Sequence, residues 1–155
     1  VESTEAGRRH TLRRPKGRFA MKIKRIEHVA VAVRDMQASL ALLQNAFGLK
    51  LEYEEEIGAI RLAMLPVGET YIELLDGVSR DSAIGRQIPP QGEGLFHLCF
   101  EVDDIDGALA ELKQKGVKLI DETPRPGHGG CRIAFIDPSA TGNLLIELAQ
   151  LPEGH

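Results

Sequence analysis

Apolar positions along this chain follow first a two-residue and then a helical rhythm, and the same succession is written twice. Residues 23–33 (IKRIEHVAVAV) close in alternating valine and alanine, as in a strand with two different faces. Asp35 then stands where a helix N-cap belongs. Met36, Leu40, Leu42, Leu43 and Phe47 follow at helical spacing, and Gly48 is the stop. Residues 49–56, 59–67 and 70–75 predict three strands, punctuated by Gly58 and Gly68. The second half repeats the order. Residues 95–102 predict a strand, and Asp103 or Asp104 caps a helix carrying Ile105, Ala108, Leu109 and Leu112 up to Gly116. Residues 117–121, 132–137 and 143–149 predict the strands that follow. The expected fold is therefore α+β, with tandem βαβββ modules at 22–76 and 94–150 inside one domain, 21–150, and a short tail at 151–155. The linker, 77–93, holds Pro89, Pro90 and Gly92, with a short helix expected near 82–86.

The two modules share more than a rhythm. EHVAVAVRD at 27–35 and FHLCFEVDD at 96–104 each carry a histidine seven positions before an aspartate, and Ile-Glu-Leu closes the last strand of each module, at 72–74 and 146–148. Each module thus offers one histidine, His28 or His97, and one glutamate, Glu73 or Glu147. On the first strand His28 shares a face with Ala30 and Ala32, opposite Val29, Val31 and Val33. On the matching strand His97 shares its face with Cys99 and Glu101. The bulky faces suit packing under a helix, and the small or polar faces suit the wall of a cavity. A lone strand histidine or glutamate is ordinarily a packed or solvated residue. Four of them at matched places in a duplicated unit form a plausible set for one divalent first-row metal: two imidazoles and two carboxylates whose charge of −2 would neutralise the ion. Cys99 has no counterpart, since Ala30 stands at that place, and is read as packing. His128, in the glycine-rich GHGG at 127–130, also lacks a repeat partner and is not counted as a ligand. That stretch either aims backbone N–H groups at a bound carboxylate or thioester or is a plain connection.

Charge narrows the partners. The formal net charge is −4, and residues 1–20 hold six Arg or Lys against two Glu, a net of +4, which leaves −8 on the remainder. That does not suit a nucleic-acid binder. Residues 1–20 lack hydrophobic periodicity and are read as a disordered arm, a tag or an over-extended start. No apolar run approaches the roughly 20 residues of a membrane span. Two cysteines without a CxxC pair point to a reducing compartment, so cytoplasmic placement is expected, or an organellar matrix should residues 1–20 be a presequence.

The motifs IEHVAVAV, FGLKLEYEEE, LPVGETYIELLDGVSRDSAIGR, the long run from GEGLFHLCFEVDD to LIDETPRPGHGG, and RIAFIDPSATGNLLIEL cover nearly all of residues 24–149. In these the chain resembles the methylmalonyl-CoA epimerases of the vicinal oxygen chelate superfamily, whose paired modules form a curved eight-stranded, glyoxalase-like cup. The resemblance implies an isomerase that interconverts (2R)- and (2S)-methylmalonyl-CoA, an acyl-CoA thioester, through a metal-stabilised enolate. It also implies a divalent ion (Co, Mn, Zn or Ni) on His28, Glu73, His97 and Glu147, and a homodimer. Glu147 is assigned a proton-transfer role besides ligation. Some members carry a further glutamate on the third strand of the first module. Here Arg61 or Leu62 stands at that place, and Phe96 replaces a frequent second histidine before His97. Glu52, Glu54, Glu55 and Glu56 lie nearby and read as a solvated face. The alternatives are another enzyme on the same cup, such as a glyoxalase-type isomerase or thiol transferase, or a non-enzymatic small-molecule binder.

Overall fold

The structure is a computed structural model describing residues 21–154; residues 1–20, read above as an arm, a tag or an over-extended start, and His155 lie outside the described residues. Among the described residues eight strands form one sheet in the order β2-β3-β4-β1-β5-β8-β7-β6. They are β1 (Ile23–Ala32), β2 (Tyr53–Ile57), β3 (Ile60–Val67), β4 (Thr70–Asp76), β5 (Gly94–Val102), β6 (Arg125–Pro126), β7 (Arg132–Ile136) and β8 (Ile146–Gln150). The helices are α1 (Met36–Phe47) and α2 (Ile105–Gln114). The order reads the same from either end once the modules are exchanged. Each module runs outward from its first strand through its last, and the two first strands meet antiparallel at the centre.

The alternation seen in the sequence decides the layers. Val33, Met36, Leu40, Ala63, Leu65 and Leu74 pack between α1 and the sheet, and Val102, Leu109, Ala134, Ile136 and Leu148 pack under α2. The opposite face, with Ala30, Leu62, Met64, Phe96, Cys99, Ile133 and Phe135, closes on itself as a third cluster and forms the inside of the cup. Both helices start at the aspartates of the repeated phrase. Asp35 accepts from the Ala38 N–H at 3.0 Å and Asp104, rather than Asp103, from the Gly107 N–H at 3.0 Å. Gly48 ends α1 in the left-handed region at φ 67°, where a β-carbon would be strained.

Four segments depart from the expected elements. Residues 49–52 stay outside β2: the Leu49 N–H closes the helix end on the Leu43 carbonyl, and Glu52 makes one backbone bond to the Met64 carbonyl before the strand begins at Tyr53. Residues 117–121 make only one bridge, Leu119 to Ile136. The N–H groups of Ile120 and Asp121 both converge on the Phe135 carbonyl, and the Asp121 carboxylate takes the Phe135 N–H at 2.8 Å, so a regular ladder cannot continue. The outer strand of the second module is instead the two-residue β6. Residues 143–145 stay in a turn, with Asn143 at φ 66° and its N–H on the Pro138 carbonyl, so β8 begins at Ile146. The expected linker helix is a single 3-10 turn at Gly85–Gln87.

The central pair β1–β5 carries two bulges that matter for the site. Between Ile26 and His28 the register advances two residues on β1 against one on β5, which makes Glu27 the extra residue. Between Ala30 and Val31 the extra residue is on β5, at Phe96. The bulges sit at matching places, each just before the module's histidine. Replacing either cap, Asp35→Ala or Asp104→Ala, is expected to cost about 1 kcal/mol. Urea denaturation of each variant against the parent chain measures this, and losses well below that value would show that the caps do not anchor the helices.

Candidate metal centre

The two central strands bring the repeated residues together. His28 pairs with Cys99 and Ala30 with His97 across β1–β5, so the histidines sit diagonally on the same face. Parallel pairing sets Glu73 beside Ala30 and Glu147 beside Cys99, which are the same places in the two modules. All four side chains are buried. The Nε2 atoms of His28 and His97 face each other at 3.0 Å. Glu147 Oε2 lies 2.8 Å from His97 Nε2 and 3.6 Å from His28 Nε2, and Glu73 Oε1 lies 3.4 and 3.9 Å from the same two atoms. These four side chains therefore lie together at one place in the cup.

Two further groups stand behind them. The bulge turns Glu27 inward, and its Oε2 takes the Nδ1 side of His28. His128, from the GHGG turn, places Nε2 3.2 Å from the same Glu27 oxygen and Nδ1 3.9 Å from Glu73 Oε2. Both are buried. Two overlapping sets of donors, His28–His97–Glu147 and His28–Glu73–His128, each lie within 4.8 Å of one another. Strict alternation from His28 hides Glu27, since an adjacent residue belongs on the other face. The extra ladder residue is what brings it in. Cys99 is buried in the cup wall and falls within the same reach of Glu27 and His28.

The electrostatics follow from burial and crowding. Burial alone would push the Glu27 carboxyl up, but hydrogen bonds from His128 and His28 outweigh it and hold it at about 2. Burial likewise opposes charge on Glu147, yet the imidazoles of His28 and His97 keep it well below the usual carboxylate range. His28 is raised well above an ordinary histidine: burial resists protonation, and the Glu73 charge, foremost among several groups, overcomes it. His128 is raised to about 11 against its burial by Cys131, Glu27 and Glu73. The pocket is built to hold positive charge.

A divalent ion fits this donor set. The imidazole nitrogens and carboxylate oxygens suit first-row metals. Glu27 accepts the Nδ1–H of His28, so an ion that displaced the Nε2 proton would meet a lone pair aimed into the quartet. Among the described residues Glu147 Oε1 is buried without a hydrogen-bond partner, an orphan that a ligand or ion would satisfy. The missing third-strand carboxylate is also decided. Leu62 faces the cup and Arg61 is exposed. Glu54 and Glu56 face solvent, while Glu55 takes the Gly129 N–H at 2.8 Å. That bond commits one backbone donor of the GHGG turn to the protein itself.

Residues 27–135 match the Glyoxalase/Bleomycin resistance protein/Dioxygenase superfamily. The chain belongs to that superfamily. Its relatives there include the ethylmalonyl-CoA/methylmalonyl-CoA epimerase of Cereibacter sphaeroides, 31% identical over 83% of this chain and 99% of that one. The mitochondrial methylmalonyl-CoA epimerase of Homo sapiens is 31% identical over 81% of this chain and 73% of that one. A Streptomyces coelicolor methylmalonyl-CoA epimerase variant, solved in complex with 2-nitronate-propionyl-CoA, superposes with a TM-score of 0.78 at 30% identity, covering 85% of this chain and 97% of that chain.

One divalent ion per chain is expected to bind the chelator-stripped protein on titration with Co²⁺ or Mn²⁺, and His97→Ala is expected to weaken it by at least about 10-fold. Calorimetry reads both. A variant that binds as tightly as the parent would remove His97 from the ligand set.

Proposed function

We propose that this protein is an epimerase that interconverts the 2R and 2S forms of methylmalonyl-CoA, or of a close malonyl-type thioester, at a divalent metal held by His28, Glu73, His97 and Glu147. The observation that carries this is the convergence of those four buried side chains in the cup of a chain whose relatives include methylmalonyl-CoA epimerases. The proton at C2 lies between a thioester and a carboxylate and is only weakly acidic. A cation bound by the four residues would act as a Lewis acid toward the substrate oxygens and stabilise the charge that develops as this proton leaves.

The chain's own residues supply the rest. Glu147 is the group to move the proton, because its Oε2 faces the histidines while Oε1 has no partner among the described residues. Oε1 serves one face of C2, taking the proton in one direction of the reaction and returning it in the other, while inversion also requires a second group to exchange a proton at the opposite face, a role the third-strand place does not fill here because Leu62 stands there. The walls beside the quartet, Ile60, Leu62, Val78, Phe96 and Phe135, are apolar and exclude water from the reacting carbon. Arg125 lines the same cavity and lies 5.3 Å from the Phe135 ring centroid, where its charge suits an anionic substrate group.

Incubating the protein with methylmalonyl-CoA in D₂O should place deuterium at C2. Glu147→Gln keeps an oxygen ligand but loses the base, and exchange is expected to fall at least about 10²-fold while metal stays bound. Glu73→Gln is the matched control in the other module and should be far milder. Equal losses would mean that both act only through the metal.

The same proposal includes a homodimer in a reducing, cytoplasmic-type compartment, where the buried free thiols of Cys99 and Cys131 need no bridge. Leu95 and Leu144 are 74% and 43% exposed and line one groove with Val29 and Leu98, a surface suited to a second copy. Sedimentation should give twice the chain mass of 17.0 kDa, and Leu95→Glu should shift it toward the monomer. A monomeric parent chain would end that part.

A further inference from the structure

The two ligand histidines are not supported alike. His28 has its outer nitrogen on Glu27, whereas His97 Nδ1 is buried with no hydrogen-bond partner among the described residues, and Phe96 occupies the place that Glu27 holds in the first module. Glu27 does not act alone, for its oxygen also lies 3.2 Å from His128 Nε2. His128 belongs to the second module, in the turn between β6 and β7, and it reaches across the cup to the first strand of the first module.

The turn that carries it is tied down at several points. The Gly127 N–H donates to the Cys131 carbonyl and the Cys131 N–H to the His128 carbonyl, both at 2.9 Å. The Gly129 N–H reaches Glu55 on β2 at 2.8 Å. Gly129 sits at φ 58°, and a β-carbon there would come within 2.9 Å of the Tyr53 hydroxyl oxygen, so the close approach to β2 needs glycine. The turn is thus fastened to the far edge of the first module, with the imidazole pinned between Glu27 and Glu73.

We infer that His128 is a positioning residue for the metal centre: through Glu27 it fixes the ring of His28 and so aims the His28 Nε2 at the quartet. Removing such an outer partner typically lowers metal affinity 10- to 100-fold or so. The inference rests on the quartet proposed above as the metal site. It assigns the GHGG turn a role in holding the first module's ligand, with no contact to the ion itself.

Co²⁺ is the probe, with affinity read by competition against a chromophoric chelator and ligand geometry by the visible spectrum of the bound ion. His128→Ala and Glu27→Ala should each weaken binding by roughly 10-fold or more and broaden the spectrum. The double variant should bind no more weakly than the weaker single one, because both act through one hydrogen bond. His128→Gln retains a donor near the Nε2 position and Glu27→Gln retains an acceptor for His28, so both should bind within a few-fold of the parent.

Unchanged affinity in His128→Ala would overturn the inference. So would losses that multiply in the double variant, since His128 would then act independently, as a ligand in its own right. Should His128→Ala fail to fold, the Glu27 pair decides: Ala weak and Gln near the parent supports the brace, and equal loss in both overturns it. Parent protein that binds no Co²⁺, or binding untouched by His97→Ala, would instead defeat the quartet and the brace with it, an outcome plainly different from the loss of the brace alone.

Discussion

Three carboxylates, Glu27, Glu73 and Glu147, are buried together with three imidazoles, His28, His97 and His128, and that crowd of charge governs the middle of the molecule. Buried carboxylates without compensation would cost several kcal/mol each. Here each faces a ring nitrogen, and the excess negative charge of the inner pair is what a divalent ion would neutralise. The sheet's other features serve this centre. The antiparallel central pair sets the histidines diagonally, and the parallel pairs place the glutamates beside them. The helices lie on the opposite face, so the charged side of the sheet is left to the cup.

Much of this was legible in the sequence because it was written twice. The period of two placed His28 and His97 on the small-residue faces, and the repeated Ile-Glu-Leu marked the partner strands. The aspartates of the repeated phrase proved to be N-caps, so the seven-residue spacing reflects where each first strand ends and its helix begins. Leu62, one of two residues considered for the third-strand place, proved to be the one facing the cup.

What the sequence did not disclose depends on events that break a rhythm. Glu27 is adjacent to a ligand and should face away; one extra residue in the ladder reverses it. His128 lies in a short turn without a counterpart, and only the closure of the cup carries it to the first module. The expected strand at 117–121 failed for a similar reason. Asp121 turns its carboxylate onto the backbone that the strand would have paired with. In each case a local pattern was overridden by a tertiary partner that has no sequence period.

The palindromic strand order has a consequence at its two ends. An open sheet leaves two unsatisfied rims, and such rims invite stacking of molecule on molecule into fibres. Here one rim is β2, whose Glu54, Glu55 and Glu56 would repel an identical strand laid alongside. The other is β6, only two residues long and half proline, which has too few donors to recruit a neighbour. The same shortness that kept β6 from being foreseen guards the protein against polymerisation.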